Sequence, residues 1–285
     1  MLFGLYMNDL PTVIKHCRIE SYVDDTKIYL SFTAKDVASC LAQVEEDLRH
    51  IAEWCCINRL LINPDKTKFI IFGVPQLLTR VTDARVQLLG KTLLPEQFVK
   101  DLGIILDRNL SFNQHVTSLM SSLLGSLCRI NRVRHLFNKD ILLVILNSLV
   151  FSKLFYCSTI WAGTSKQNIN KLQLLQNFAA RIMTNVRKYD HISPALKQLG
   201  WLSIKKQLNL RDLCQIYKIE NGLAPQYLKC KLEKRSEVHK YNTRQKDHLN
   251  MPLCRTATAQ RSFFYRAINL WNNLSLSQKN QSSVQ

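Results

Sequence analysis

The hydrophobic pattern of this 285-residue chain changes period near Leu110, and that change limits what each part can fold into. Before it, short β-prone runs are broken by turn residues and accompany a single helical stripe. After it, apolar residues recur almost wholly at helical spacing. In the stripe, Val37, Leu41, Val44, Leu48, Ile51 and Cys55 are three or four apart, which predicts one amphipathic helix over 34–58. Thr33 and Asp36 have capping-box spacing, and Glu45, Glu46, Asp47 and Arg49 fall on the face expected to be solvated. Strands are expected at 18–22, 27–32, 67–72, 85–89 and 97–106. Helices are expected at 115–137, 140–160, 168–186, 203–221 and 261–274, with a short one opened by Ser193-Pro194. The fold class this predicts is α+β: antiparallel strands packed on a long helix, then a mainly α-helical region.

Charge divides the chain in nearly the same place. Residues 1–127 carry 13 Lys and Arg against 14 Asp and Glu, a net −1. Residues 128–285 carry 26 against 7, a net +19, so the whole excess of +18 lies in the second half. A surplus so segregated points to a polyanionic partner, nucleic acid first. The polar, basic stretch 229–255 reads as a loop or disordered linker, and 278–285 as a frayed tail.

The nine cysteines show neither C-x-x-C nor zinc-knuckle spacing, which suits reduced, mostly buried thiols in an intracellular protein of the cytoplasm or nucleus. Residues 1–11 have no basic start or small-residue cleavage site. The most apolar run, 141–161, is interrupted by Asn147, Ser148 and Lys153 and reads as a buried helix rather than a membrane span.

Chemistry concentrates at Asp24 and Asp25, adjacent carboxylates at the tip of an expected hairpin. Two such groups repel each other, and a divalent cation relieves the repulsion. Mg²⁺ takes one or two carboxylates, several waters and substrate phosphates, so an open hairpin tip suits it. In isolation, an Asp-Asp pair is most often a solvated turn.

Its neighbours change that reading. The opening Met-Leu-Phe-Gly-Leu-Tyr-Met-Asn-Asp-Leu-Pro is followed by Tyr22-Val23-Asp24-Asp25 and then by the long helix. Next come Asn63-Pro64-Asp65-Lys66-Thr67-Lys68 and Val99-Lys100-Asp101-Leu102-Gly103-Ile104-Ile105-Leu106-Asp107. In this order, from residue 1 to about 112, the set resembles the back half of the palm of a reverse transcriptase, of the LINE type found in non-LTR retrotransposons. The resemblance implies a partial palm at 1–112, a helical thumb-like and connecting region at 113–228, and a basic linker with a C-terminal helix at 229–285. It implies that Asp24 and Asp25 are catalytic and hold Mg²⁺, with Mn²⁺ as a substitute, and that Lys66 approaches the leaving pyrophosphate. Leu102 and Gly103 match the hairpin that grips the primer end. Arg129, Arg132 and Arg134, on or near one face of the first thumb helix, would contact the phosphates of an RNA template and DNA primer, or of an RNA–DNA hybrid.

Blander readings stand beside these: a surface Lys66, a plain strand bend at Leu102-Gly103, and a solvated turn and helix start at Asp107 and His115. Tyr22 is placed either beneath a primer terminus or in the core, and Tyr217, Tyr227, Tyr241 and Tyr265 either stack on unpaired bases or fill helix packing. Val23 stands where Ala is usual in LINE-type enzymes, although Val occurs there in other reverse transcriptases. The family's upstream catalytic Asp strand, Gln-Gly segment and fingers would precede Met1. The chain is therefore expected to be a fragment of an RNA-directed DNA polymerase, inactive alone. The second reading is a non-catalytic basic RNA- or DNA-binding module derived from such an element.

Overall fold

The computed structural model describes residues 2–238 and 245–279. The chain folds as two compact units, residues 1–101 with 107–110, and residues 102–106 with 111–285. Short antiparallel strand pairs and many helices make up the fold, in keeping with the α+β class.

In the first unit a helix, α1 (Val37–Ile57), carries the core. β1 (Arg18–Tyr22) and β2 (Asp25–Tyr29) form an antiparallel hairpin whose inner residues Ile19 and Ile28 are register partners. Both pack on a buried cluster of Leu10, Ile51, Trp54 and Cys55, so the C-terminal half of α1 supports the hairpin. β3 (Val86–Leu88) and β4 (Lys91–Leu93) form a second hairpin, tied to α1 where the Gln87 N–H donates to Glu45 Oε1 at 2.7 Å. The expected capping box is not made. The helix starts three residues later than predicted, with Asp36 at the cap position, and Thr33 Oγ1 donates to the Asp36 carboxylate instead. The strand expected at 67–72 is irregular apart from a single bridge, Phe69 to Pro95.

Asp47 overturns its expected placement. It is fully buried, and its carboxylate accepts the backbone N–H groups of Lys15 (2.9 Å), His16 (3.0 Å) and Cys17 (2.7 Å). Burial raises its pKa, but those three donors outweigh burial and hold it below the ordinary value. Burial and the contact with Asp47 push the Cys17 thiol up to about 12. One buried anion thus fixes the three residues that lead directly into β1.

The second unit is helical. α2 (Asn113–Val133) packs on α4 (Lys166–Thr184), which also meets α3 (Lys139–Leu146) and α5 (Ile204–Glu220). Leu123, Leu127, Leu146, Leu154, Trp161 and Leu172 are among its fully buried side chains. α3 and α4 are capped by Asn138 and Ser165, each accepting a backbone N–H three residues on. The helix expected over 140–160 is not continuous. After α3 comes a π-helical turn, Asn147–Phe151, then Ser152–Leu154, and a break at Cys157, whose φ is 44°, before Ser158–Trp161.

α6 (Phe263–Asn272) lies against α5 through Ile216, Ile219, Ala267 and Ile268, with Leu232 and Leu249 buried in the same cluster. Asn272 clamps the backbone of Leu249 with two hydrogen bonds. The described part of 229–255 is mostly irregular, exposed chain with a short helix at Arg235–Val238, in keeping with a loop, and the buried Leu232 and Leu249 anchor it; residues 239–244, with Tyr241, and 280–285 lie outside the described residues.

The cysteines also differ from expectation. All nine are free thiols, but only Cys55 is buried, and Cys56, Cys128 and Cys230 are exposed. Among the described residues no helix is long and apolar enough to cross a membrane.

Candidate functional site

The dyad sits at a two-residue turn. Tyr22 pairs with Asp25, which leaves Val23 and Asp24 as the loop. Asp24 and Asp25 are both exposed, and no ion pair holds either among the described residues. Tyr22 is 64 % exposed, which removes the core-packing reading.

The turn is unusual. Val23 has φ 58°, whereas Asp24 is not in the positive-φ region. Positive φ at the first loop position alone is what a type II′ hairpin turn requires, and that position favours Gly. A β-branched side chain held there costs about 1–3 kcal/mol. The hairpin at Leu89-Gly90 is built otherwise, with positive φ at both residues and Gly second, the type I′ arrangement.

Leu102 and Gly103 join β5 (Phe98–Asp101) to β6 (Ile104–Asp107), also with positive φ at both (43° and 87°). Gly103 thus has a turn role that other residues fill only with strain. The Tyr156 hydroxyl donates to the Leu102 carbonyl at 3.0 Å, so this turn is held from its own unit. Within the first unit, Lys27, two residues after the dyad, pairs with Asp101 at 2.7 Å. That half-exposed ion pair stabilises by at most about 1 kcal/mol. Its significance is positional, since it links the hairpin bearing the dyad to the strand that enters the Leu102-Gly103 turn.

Lys66 is exposed, in a turn organised by Asn63, and no ion pair joins it to the dyad among the described residues. Its neighbours Asp65 and Lys68 are paired with Lys91 and Glu96. His115 lies in the first turn of α2, as expected of a helix start, and is buried. Its Nδ1 accepts the Ile105 N–H at 3.4 Å, its ring lies 5.9 Å from Trp161, and burial lowers its pKa. Among the described residues, no group of three or more His, Cys, Asp or Glu is gathered as for a metal ion. Two exposed carboxylates fit part of a hydrated Mg²⁺ shell, with the remaining ligands to come from water and phosphate.

In the second unit Arg129 and Arg132 are exposed on α2, three residues apart and so on one face. Arg134 departs from that face. It lies in the following 3₁₀ turn and donates to Asn185 Oδ1 at 2.7 Å. Tyr227 is 67 % exposed, while Tyr217 and Tyr265 are half-buried on α5 and α6.

Over 222 residues the chain is 26 % identical to the probable RNA-directed DNA polymerase from transposon BS of Drosophila melanogaster, covering 73 % of this chain and 24 % of that protein. It is 24 % identical over 186 residues to the RNA-directed DNA polymerase from the mobile element jockey of the same species, covering 61 % and 20 %. A probable RNA-directed DNA polymerase from transposon X-element, also from Drosophila melanogaster, is 24 % identical over 217 residues, covering 73 % and 23 %. The chain spans about a quarter of the length of these relatives or less. No family model matches it, and no solved structure does. The relatives bear out the resemblance to a retrotransposon reverse transcriptase, over a fragment of such a polymerase. The alternative, a non-catalytic binding module, has no support among them.

Proposed function

We propose that this chain supplies the metal-holding hairpin and a duplex-holding helical region of a mobile-element reverse transcriptase, working on an RNA template and DNA primer. The observation that carries the reading is the exposed Asp24-Asp25 pair at a strained two-residue turn, in a chain similar to RNA-directed DNA polymerases. Asp24 and Asp25 would hold Mg²⁺ or Mn²⁺, which in two-metal transfer clamps the attacking and leaving oxygens. Lys27 and Asp101 keep the dyad's hairpin in register with the strand that runs to Leu102-Gly103. Arg129 and Arg132 reach backbone phosphates, which carry no sequence information. In this reading residues 1–112 are palm, 113–228 thumb-like, and 229–285 the C-terminal extension.

Two carboxylates do not complete a two-metal clamp. The chain alone is therefore expected to bind Mn²⁺ loosely and not to extend a primer. Added to a polymerase segment carrying a further catalytic carboxylate, it restores extension, and Asp24→Ala abolishes it again. The check is template-directed incorporation on a primed RNA. Incorporation by the chain alone that vanishes in Asp24→Ala would overturn the incomplete-clamp account.

A second expectation concerns salt. Affinity for an RNA–DNA hybrid should fall linearly on a log–log plot against salt, and replacing Arg129 and Arg132 together by Gln should reduce the slope by about 2. Arg134→Gln should change it less, because Asn185 already occupies that guanidinium. Equal slopes for all three proteins, measured by fluorescence anisotropy, would remove these arginines from the interface.

A further inference from the structure

The second unit contains a cavity of about 330 Å³ beside the π-helical turn. Phe151 and Phe155 form one wall, and an adjoining lobe brings in Trp201, whose ring meets Phe151 edge-on at 4.9 Å. Asn147 and Gln207 add side-chain amides, and Arg211 of α5 faces the space. The size falls in the range of small-ligand sites.

Arg211 is the informative residue. Its guanidinium lies over the Phe155 ring, 4.4 Å from the centroid, and its Nε–H is buried without a hydrogen-bond acceptor among the described residues. Neither aspartate nor glutamate pairs with it there. The neighbouring Asp212 is engaged with Arg266 on another face of α5. The Arg211 side chain is only partly buried, and an aromatic face supplies no full negative charge to its guanidinium. Burial lowers the Arg211 pKa, yet arginine stays charged at neutral pH. An anion is therefore the missing partner, and the aromatic wall selects an anion that also carries a flat ring. π-Helical turns recur at functional sites because they turn side chains out of ordinary helical register.

We propose that this cavity takes one unpaired nucleotide of a single-stranded nucleic acid, its base against Phe151 and Trp201 and its phosphate at Arg211. The inference rests on the nucleic-acid role proposed above and deepens it, because it gives the second unit a single-strand site besides the duplex contacts of Arg129 and Arg132. Asn147 and Gln207 supply donors and acceptors for a base edge without matching any one base, so sequence preference is weak.

The test uses the full chain and two probes, a fluorescein-labelled single-stranded oligouridylate and a blunt RNA–DNA hybrid. Arg211→Gln is expected to weaken oligouridylate binding at least tenfold and leave hybrid binding within twofold. Adenosine monophosphate should displace the oligouridylate from the wild type and quench fluorescence that Trp201→Phe removes. Inorganic phosphate and adenosine should each do so far less well. Unchanged oligouridylate binding by folded Arg211→Gln overturns the proposal, as does phosphate competing as well as the nucleotide. If Arg211→Gln fails to fold, the mononucleotide competition on the wild type decides alone. Absence of binding to both probes instead overturns the nucleic-acid role on which the inference rests.

Discussion

Asp47→Ala is expected to destabilise the first unit by about 3–5 kcal/mol. The substitution leaves the amides of Lys15, His16 and Cys17 without their acceptor, and each buried donor so orphaned costs about 1–3 kcal/mol until water reaches it. Water reaching these part-buried amides would loosen the segment that feeds β1, so the divalent-ion binding proposed at Asp24 and Asp25 should weaken with it. Asp47→Asn keeps one carbonyl acceptor and should cost roughly half as much. Denaturant melts and amide exchange at residues 15–17 read the effect directly, and a shift below about 1 kcal/mol for Asp47→Ala would show that the carboxylate is replaceable. The pH dependence has a definite sign. Because the folded carboxyl titrates below its ordinary 3.8, its stabilisation is present above the unfolded value and is lost as pH falls through the folded one. Cys17 adds a second readout. Its thiol is held up to about 12 by burial and Asp47, so Asp47→Ala should make it alkylate faster at pH 8.

The second large effect belongs to Gly163. A methyl group there would collide with the Arg261 carbonyl oxygen and the Arg266 guanidinium. Arg266 cannot simply step aside. It donates to the Arg261 and Thr159 carbonyls and to both oxygens of the buried Asp212, at 3.1 to 3.3 Å for the carboxylate. Overpacking alone costs about 1–3 kcal/mol, and separating a buried ion pair about 3–5 kcal/mol. Gly163→Ala should therefore lower the stability of the second unit by at least about 3 kcal/mol, seen as a lowered thermal midpoint; an unchanged midpoint would contradict the packing described.

Asp212 supplies the pH signature of the same cluster. Burial pushes its carboxyl up to about 6, against the pull of Arg266. Between about pH 4 and 6 the folded unit binds more protons than the unfolded chain, so the stability due to this group falls as pH rises through that window. Arg266→Met should extend the fall to higher pH.

The sequence pattern predicts most helices of the second unit because each has apolar residues at helical spacing along one face, and the helix expected over 203–221 stops at Gly222. It misplaces Asp47 for a physical reason. On α1 the residue sits among Glu45, Glu46 and Arg49, and only backbone amides thirty residues upstream make it interior. Periodicity carries no record of such a partner. The 67–72 run has strand composition but gains only one bridge, since β-propensity reflects neighbours more than backbone preference. The dyad's place at a hairpin tip is legible, because two adjacent carboxylates fall between two strand-prone runs. The left-handed Val23 beside it is not legible, because the propensity of valine argues against that conformation. Neither is the Lys27–Asp101 pair, whose partners are 74 positions apart. Arg211 gives no sign of its site in sequence, since half the wall it faces comes from a helix interrupted without Pro or Gly.

That interruption has an evolutionary consequence. A π-helical turn holds one residue more than α-helical geometry requires, so Asn147–Phe151 is a place where chain length can change by one without breaking the helix. Removing a residue there restores ordinary winding within the turn and leaves the flanking segments, with Leu146 and Leu154, on the core. The cavity would lose the part of its wall that Asn147 and Phe151 supply, while the hydrophobic core kept its helix. Across related chains, a one-residue gap at this point should therefore coincide with loss of arginine at the position of Arg211, a covariation between an indel and a substitution about 60 residues apart.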